Sequence, residues 1–192
     1  MAATKAYKLA FNGKEFKTFY FRDQHAADLL WKRLSINETQ FFGVDIDTAK
    51  KAEYLSHPKA GLDPYLSQIR LLQIYDGETV YVFDMFDIEI TDNLRKLFYL
   101  KQFVAHNAIF EMKFFKHFGV SEKPIGCSRL LAILVDRAER SPFEKEELYE
   151  DDDEPDGMSQ YRTGYDLASV TGRLYGVKTD KYYQTANWNL HD

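Results

Sequence analysis

Residues 41–48 read F-F-G-V-D-I-D-T, an apolar run that ends in two carboxylates two positions apart. Side chains alternate across a strand, so Asp45 and Asp47 share one face. Two carboxylates side by side repel each other unless one is protonated or a cation bridges them, and a divalent ion with oxygen ligands is the simplest resolution. The same pattern also describes a strand end carrying two solvated acids, and these eight residues leave both readings open.

A second group of chemistry-bearing residues stands at 103–115, F-V-A-H-N-A-I-F-E-M-K-F-F. The apolar run before Asn107 predicts a strand, and the spacing over 108–117 predicts a helix. Asn107 then sits where the chain changes direction, with Glu111 one turn later. Both residues also have structural readings, Asn107 as a helix cap and Glu111 as a first-turn acid suited to the helix dipole.

Together these residues resemble the DEDD class of 3'-5' exonucleases, in particular ribonuclease D and the proofreading domains of family A DNA polymerases. That family carries D-x-E-T on a strand, matched by Asp45, Ile46, Asp47 and Thr48. It carries H-N-x-x-F-D at a strand-to-helix junction, matched by His106, Asn107, Phe110 and Glu111. Residues 61–74, G-L-D-P-Y-L-S-Q-I-R-L-L-Q-I, followed by V-Y-V-F-D, look like its second and third strands. Residues 181–188, K-Y-Y-Q-T-A-N-W, resemble the K-x-x-Q-x-S-x-W stretch before its last catalytic helix.

The resemblance implies an α/β fold, a ribonuclease H-like mixed sheet flanked by helices. It implies hydrolysis of the terminal phosphodiester at the 3' end of single-stranded DNA or RNA, with two ions of Mg2+ or Mn2+. Asp45 would bridge both ions, Asp47 would serve the nucleophile side and Glu111 the other, while Thr48 and Asn107 position the terminal nucleotide. Lys181 lies in a basic, aromatic stretch with Tyr182 and Tyr183, the composition that tracks a single strand by phosphate attraction and base stacking.

Two departures qualify these expectations. The family's second acid is Glu and its third Asp, whereas this chain has Asp47 and Glu111, and a displacement of about 1 Å at a catalytic group can lose roughly a hundredfold in rate. The family also continues past Trp188 into a helix bearing Y-x-x-x-D or H-x-x-x-D, whereas this sequence ends at Asp192. Tyr149 and Asp153 satisfy that spacing only inside an acidic run without apolar periodicity. The fourth carboxylate is expected from elsewhere, for example from a polymerase or other protein partner. Weak activity better supported by Mn2+ is one expectation; a non-catalytic module that binds nucleic acid or a protein is the alternative.

Composition bounds the rest. With 192 residues and 45% hydrophobic content, the chain is long enough for a single domain over 1–192 with a substantial core. A lone cysteine, Cys127, excludes an internal disulfide framework and reads as a buried apolar residue. Without a leader or a long apolar run, a cytoplasmic protein without membrane contact is expected. The net charge of −5 is concentrated in 144–156, part of an expected flexible acidic insertion at 138–160; the remainder is slightly basic. None of the histidines pair at HxxxH or HxH spacing, which argues against zinc and gives His106 a hydrogen-bonding role. Phe110, Phe114 and Phe115 have the spacing of core packing.

Periodicity predicts strands at 7–11 and 15–21 around Asn12-Gly13, then a helix capped by Asp23 with Ala26, Leu29, Leu30 and Leu34 inward. Strands at 41–47, 69–75 and 80–83 form a meander, the last two joined at Asp76-Gly77. A helix capped by Thr91 buries Leu94, Leu97 and Phe98, and a strand at 103–105 leads into the helix at 108–117. Residues 130–135 read as helical, and Leu167, Val170 and Leu174 recur at helical spacing before Gly176, a C-cap.

Overall fold

The strand predicted at 41–47 runs on to Lys50. This strand, β3 (Phe41–Lys50), is bulged between Asp47 and Thr48. The two acids therefore sit within a paired strand rather than at its end, and the bulge re-aims the chain after Asp47. The computed structural model describes residues 4–11, 13–139 and 164–176. The expected insertion at 138–160 begins inside a helix that reaches Glu139, and the remainder of that range lies outside the described residues. So do Lys181, Tyr182 and Tyr183.

The other strands are β1 (Lys5–Phe11), β2 (Lys14–Phe21), β4 (Ser67–Tyr75), β5 (Thr79–Asp84), β6 (Gln102–Ala105) and β7 (Gly126–Cys127). They form one mixed sheet in the order β1-β2-β5-β4-β3-β6-β7. As the turn dipeptides predict, β1 and β2 form a hairpin, and β3, β4 and β5 an antiparallel meander. The remaining pairs, β2 with β5, β3 with β6 and β6 with β7, are parallel, so the α/β expectation holds.

Five helices are described: α1 (Gln24–Ile36), α2 (Asp92–Leu100), α3 (Ile109–His117), α4 (Ser128–Glu139) and α5 (Leu167–Tyr175). Asp23 caps α1 as predicted, accepting from the Ala26 amide at 2.7 Å. The buried stripe of α1 differs from the predicted one. Trp31 and Ala27 join Ala26, Leu30 and Leu34, and Leu29 is exposed. Trp31 lies against Phe83 of β5 with ring centroids 5.2 Å apart, and seating so large a ring turns the helix until Leu29 faces out. Phe98 of α2 stacks on Phe103 of β6 at 3.9 Å and meets Phe115 of α3 edge-on. This aromatic packing fixes α3 against the sheet; each such side chain buried contributes roughly 1.5–3 kcal/mol.

Three other local expectations change. Thr91 occupies the N-cap position of α2, but its hydroxyl donates to Asp28 at 2.5 Å instead of accepting from the helix. On α5, Ala168, Ser169 and Val170 are buried, and Leu167 and Leu174 are exposed. Gly176 ends α5 in the left-handed conformation, as its C-cap role requires. Cys127 is half-buried rather than buried: burial pushes its thiol up, but backbone amides of residues 107, 108, 129 and 130 outweigh this and hold it below its ordinary range. No described helix is long and apolar enough to cross a membrane.

Candidate active site

In β3, Phe42, Val44 and Ile46 face the core, which leaves Asp45 and Asp47 on the opposite face. The four residues of β6 lie beside the first half of β3, and the chain then turns sharply into α3. Asn107 makes that turn in the left-handed conformation, φ 67°, which Asn tolerates better than most residues. It does not cap α3: the N-cap is Ala108, without a side-chain cap. The Asn107 amide oxygen instead accepts from Arg129 at 3.1 Å, tying the junction to α4.

This turn delivers Glu111 to the acids of β3. Its side chain is 2% exposed, and its carboxyl lies against that of Asp45. Burial, then the charge of Asp45 and contact with it, push Glu111 up to about 7. Glu111 Oε2 is buried with no hydrogen-bond partner. Asp45 keeps an exposed edge, yet enough protein surrounds its carboxyl that desolvation raises it too, despite the Ile46 amide and Glu111. Asp47 is pushed up to about 6 by burial and by the charge of Asp45, while Gln73 holds it down. Gln73 Nε2 donates to Asp47 Oδ2 at 2.8 Å.

Asp45 thus acts on both other acids, through contact with Glu111 and through its charge on Asp47. Raised carboxyls packed together, one with an unpartnered buried oxygen, suit a hard divalent cation that would remove their mutual repulsion. The donor chemistry fits Mg2+ or Mn2+ and does not fit zinc, which prefers sulfur and nitrogen. Asp47 is turned toward Gln73, and among the described residues no three His, Cys, Asp or Glu side chains are gathered closely enough to form a metal cluster.

The flanking residues take defined positions. Thr48 donates its hydroxyl to the Gly61 carbonyl at 2.6 Å, so its one proton ties β3 to the loop before β4. His106 makes the expected junction bonds: Nε2 donates to the Tyr165 carbonyl at 3.0 Å and Nδ1 meets Ser128 Oγ at 3.1 Å. Burial pushes its pKa down. Phe114 and Phe115 are core residues and Phe110 packs against them, as their spacing predicts. Periodicity does not single out Gln73; its only trace in the sequence is a polar residue breaking the apolar run L-L-Q-I on β4, beside Asp45 in the pairing register.

The family described as 3'-5' exonuclease matches this chain over residues 59–191. That span holds Asn107 and Glu111 and begins after Asp45, Asp47 and Thr48. DNA polymerase I of Aquifex aeolicus (strain VF5) is 26% identical over 121 residues, 63% of this chain and 17% of that protein. Escherichia coli RNase D shares the fold at a TM-score of 0.61 and 16% identity, over 90% of this chain and 37% of that one. Brucella melitensis NrnC, in structures with bound Mg2+ and bound to pGG, matches at a TM-score of 0.53 and 18% identity, over 81% of this chain and 61% of that one. The chain spans about a sixth of the polymerase and little more than a third of RNase D. A match running from before β4 to beyond α5, on a sheet that the solved structures share, makes this chain a member of the 3'-5' exonuclease family within the DEDD superfamily.

Proposed function

We propose that this domain hydrolyses the terminal phosphodiester at the 3' end of single-stranded DNA or RNA, as a cytoplasmic protein that uses Mg2+ or Mn2+. The observation that carries this reading is the carboxyl pair of Asp45 and Glu111, brought from a strand and a helix into contact at the expense of raised pKa values. A fold without use for an anionic pair there is more stable with neutral residues. NrnC, which shares the fold, has been seen with Mg2+ and with pGG.

Asp45, Asp47 and Glu111 would hold the metal, with Asp45 the acid that the other two share as a neighbour. When bound, a pair of such ions supplies a hydroxide at neutral pH and stabilises the departing oxyanion. Gln73 holds Asp47 down against burial and the Asp45 charge, and its hydrogen bond orients the carboxylate. Thr48 holds the loop at Gly61 against the site. Asn107 sets the angle at which α3 presents Glu111 and is exposed beside it, placed for the terminal nucleotide. Lys181 is assigned to the strand's phosphates on its basic, aromatic surroundings in sequence. The fourth carboxylate would come from a further segment or a protein partner.

The test is degradation of 3'-labelled single-stranded DNA and RNA with Mg2+ or Mn2+, beside Asp45→Ala to exclude a contaminating nuclease. Activity lost in the variant supports the reading; intact DNA and RNA in both metals sink it. One observation favours a second reading, a nucleic-acid-binding module without turnover: Asp47 points to Gln73 and no three-acid cluster closes among the described residues.

A further inference from the structure

The loop between β3 and β4 and the outer face of α3 enclose an open pocket of about 660 Å3, with Leu62, Pro64 and Tyr65 from the loop and Lys113, Lys116 and His117 from the helix. At 3.6 residues per turn, Lys113 and Lys116 stand about 200° and about 140° round α3 from Glu111. Both are exposed, whereas Glu111 is buried on the same side of the helix as Phe114 and Phe115. The pocket therefore opens behind α3 as seen from the acids, and is separate from the candidate active site.

Its two walls differ in chemistry. On the loop side Leu62 is 57% and Tyr65 71% exposed, and the Tyr65 ring meets that of His117 edge-on at 4.5 Å. The cations have no anion to answer them: among the described residues, neither Lys113, Lys116 nor Lys51 is within ion-pairing distance of a carboxylate. Lys113 Nζ reaches the Leu62 carbonyl at 3.4 Å and Lys51 Nζ the Tyr65 carbonyl at 2.7 Å. Asp63, the acid in the lining, is turned onto its own loop, where Oδ1 accepts from the Tyr65 amide at 2.9 Å. Ser67 Oγ on the Asp63 carbonyl at 2.7 Å and Thr48 on the Gly61 carbonyl fix the loop further. Apolar side chains presented on a loop that is already ordered bind with less loss of freedom, and a Tyr ring gives a large contact area with two rotatable angles.

Exposed apolar side chains beside unanswered positive charge are complementary to carboxylates that flank an apolar side chain. We propose that this pocket docks an acidic peptide segment of a partner protein, with an apolar or aromatic side chain against Leu62, Pro64 and the Tyr65 ring and carboxylates at Lys113 and Lys116. The charge of the helix wall selects this occupant over a purely apolar one. The aliphatic loop wall selects it over nucleic acid, because Leu62 and Pro64 offer a sugar or a phosphate no hydrogen bond. The proposal does not depend on the exonuclease reading. It gives the domain a way of being held to another protein while the face with Asp45 and Asp47 stays free.

The test is fluorescence anisotropy of the full chain with a fluorescein-labelled, amidated decapeptide, G-S-G-D-D-E-D-L-F-G, in EDTA. Saturable binding is expected, weakening as salt is raised because the ion pairs lie at the surface. Lys113→Ala/Lys116→Ala should weaken it about tenfold, and Tyr65→Ala, or a peptide with S-S in place of L-F, should weaken it about tenfold as well. Lys113→Glu/Lys116→Glu should lose the acidic peptide and gain G-S-G-K-K-R-K-L-F-G, a gain that only a folded variant shows. Lys5→Ala/Lys17→Ala, which removes the same charge from the β1–β2 hairpin, should change Kd less than about twofold. No saturation by the wild type up to about 1 mM peptide, wild-type affinity in the Lys113/Lys116 variants, or an equal loss in the hairpin variant would each overturn the proposal. So would stoichiometric displacement of the peptide by decathymidylate, which would make the pocket a nucleic-acid surface. Cleavage of DNA or RNA with Mg2+ or Mn2+ is measured apart from this, and its absence would sink the exonuclease reading and leave the docking result standing.

Discussion

The carboxyl of Glu111 on α3 lies against that of Asp45 on β3, with Glu111 Oε2 buried and unpartnered. Glu111 titrates at about 7 in the fold against an ordinary 4.5, so the folded chain binds this proton more tightly than the unfolded one. Its contribution to stability therefore falls as pH rises from about 4.5 and is lowest above 7. Metal-free wild type should lose stability between pH 5 and 8, by on the order of 2 kcal/mol from this group. Glu111→Gln should flatten that dependence, raise Tm at pH 8 and abolish the further rise that Mn2+ gives the wild type. Thermal unfolding at both pH values in EDTA and in Mn2+ reads all three; parallel pH curves for the two proteins would refute the assignment.

Gln73 acts on the second acid of β3. It donates to Asp47 Oδ2, and without it Asp47, already at about 6, moves further up. Gln73→Leu keeps the strand and removes the donor. Because a carboxyl must lose its proton to bind a cation, Mn2+ affinity should strengthen with pH in both proteins, with the variant's curve displaced upward by about one pH unit. Calorimetric titration of Mn2+ from pH 5.5 to 8.5 checks this, and superimposable curves would show that Gln73 is a bystander.

What was legible in the sequence was local. Asn12-Gly13 and Asp76-Gly77 mark hairpins through backbone conformations that few residues adopt, Asp23 caps the next helix, and alternation along 41–47 puts Asp45 and Asp47 on one face. The features that were not legible depend on partners distant in sequence. The bulge after Asp47 exists only in the pairing with β4, and the outward turn of Leu29 comes from Trp31 finding Phe83. Asn107 reads as a cap in the sequence because its side chain can cap; the tight exit from β6 uses its tolerance of positive φ instead. The role of Gln73 needs the β3–β4 register, which periodicity does not supply.

Thr48 offers a test of how the loop at 60–66 is held. Its hydroxyl donates to the Gly61 carbonyl at 2.6 Å, next to the loop that carries Tyr65. Thr48→Val keeps the shape and removes the bond, at about 1 kcal/mol of stability. Since the loop and not the acids is released, KM for a ten-nucleotide strand should rise several-fold with kcat within about twofold, and Thr48→Ser should behave as wild type. A fall in kcat with unchanged KM would place Thr48 on the reacting atoms instead.

Asp84, at the end of β5, is 1% exposed and bound by the buried Arg70 guanidinium, the Phe86 amide at 3.1 Å and the Tyr20 hydroxyl at 2.5 Å. Burial, and then Asp84, push Tyr20 up to about 12, and Arg70 also lies over the Phe86 ring at 4.4 Å. In the sequence Asp84 reads only as the polar end of V-Y-V-F-D. Removing one partner of a buried ion pair strands the other charge, which typically costs about 3–5 kcal/mol, while replacing both with apolar residues of similar volume is often near neutral. Arg70→Met should therefore destabilise the domain by about 3 kcal/mol or more, and Arg70→Met/Asp84→Leu should recover at least half of that loss. Urea unfolding of the three proteins at one pH measures it. Equal losses in the single and double variants would mean that the packing of Arg70 on Phe86, rather than its charge, holds this end of the sheet.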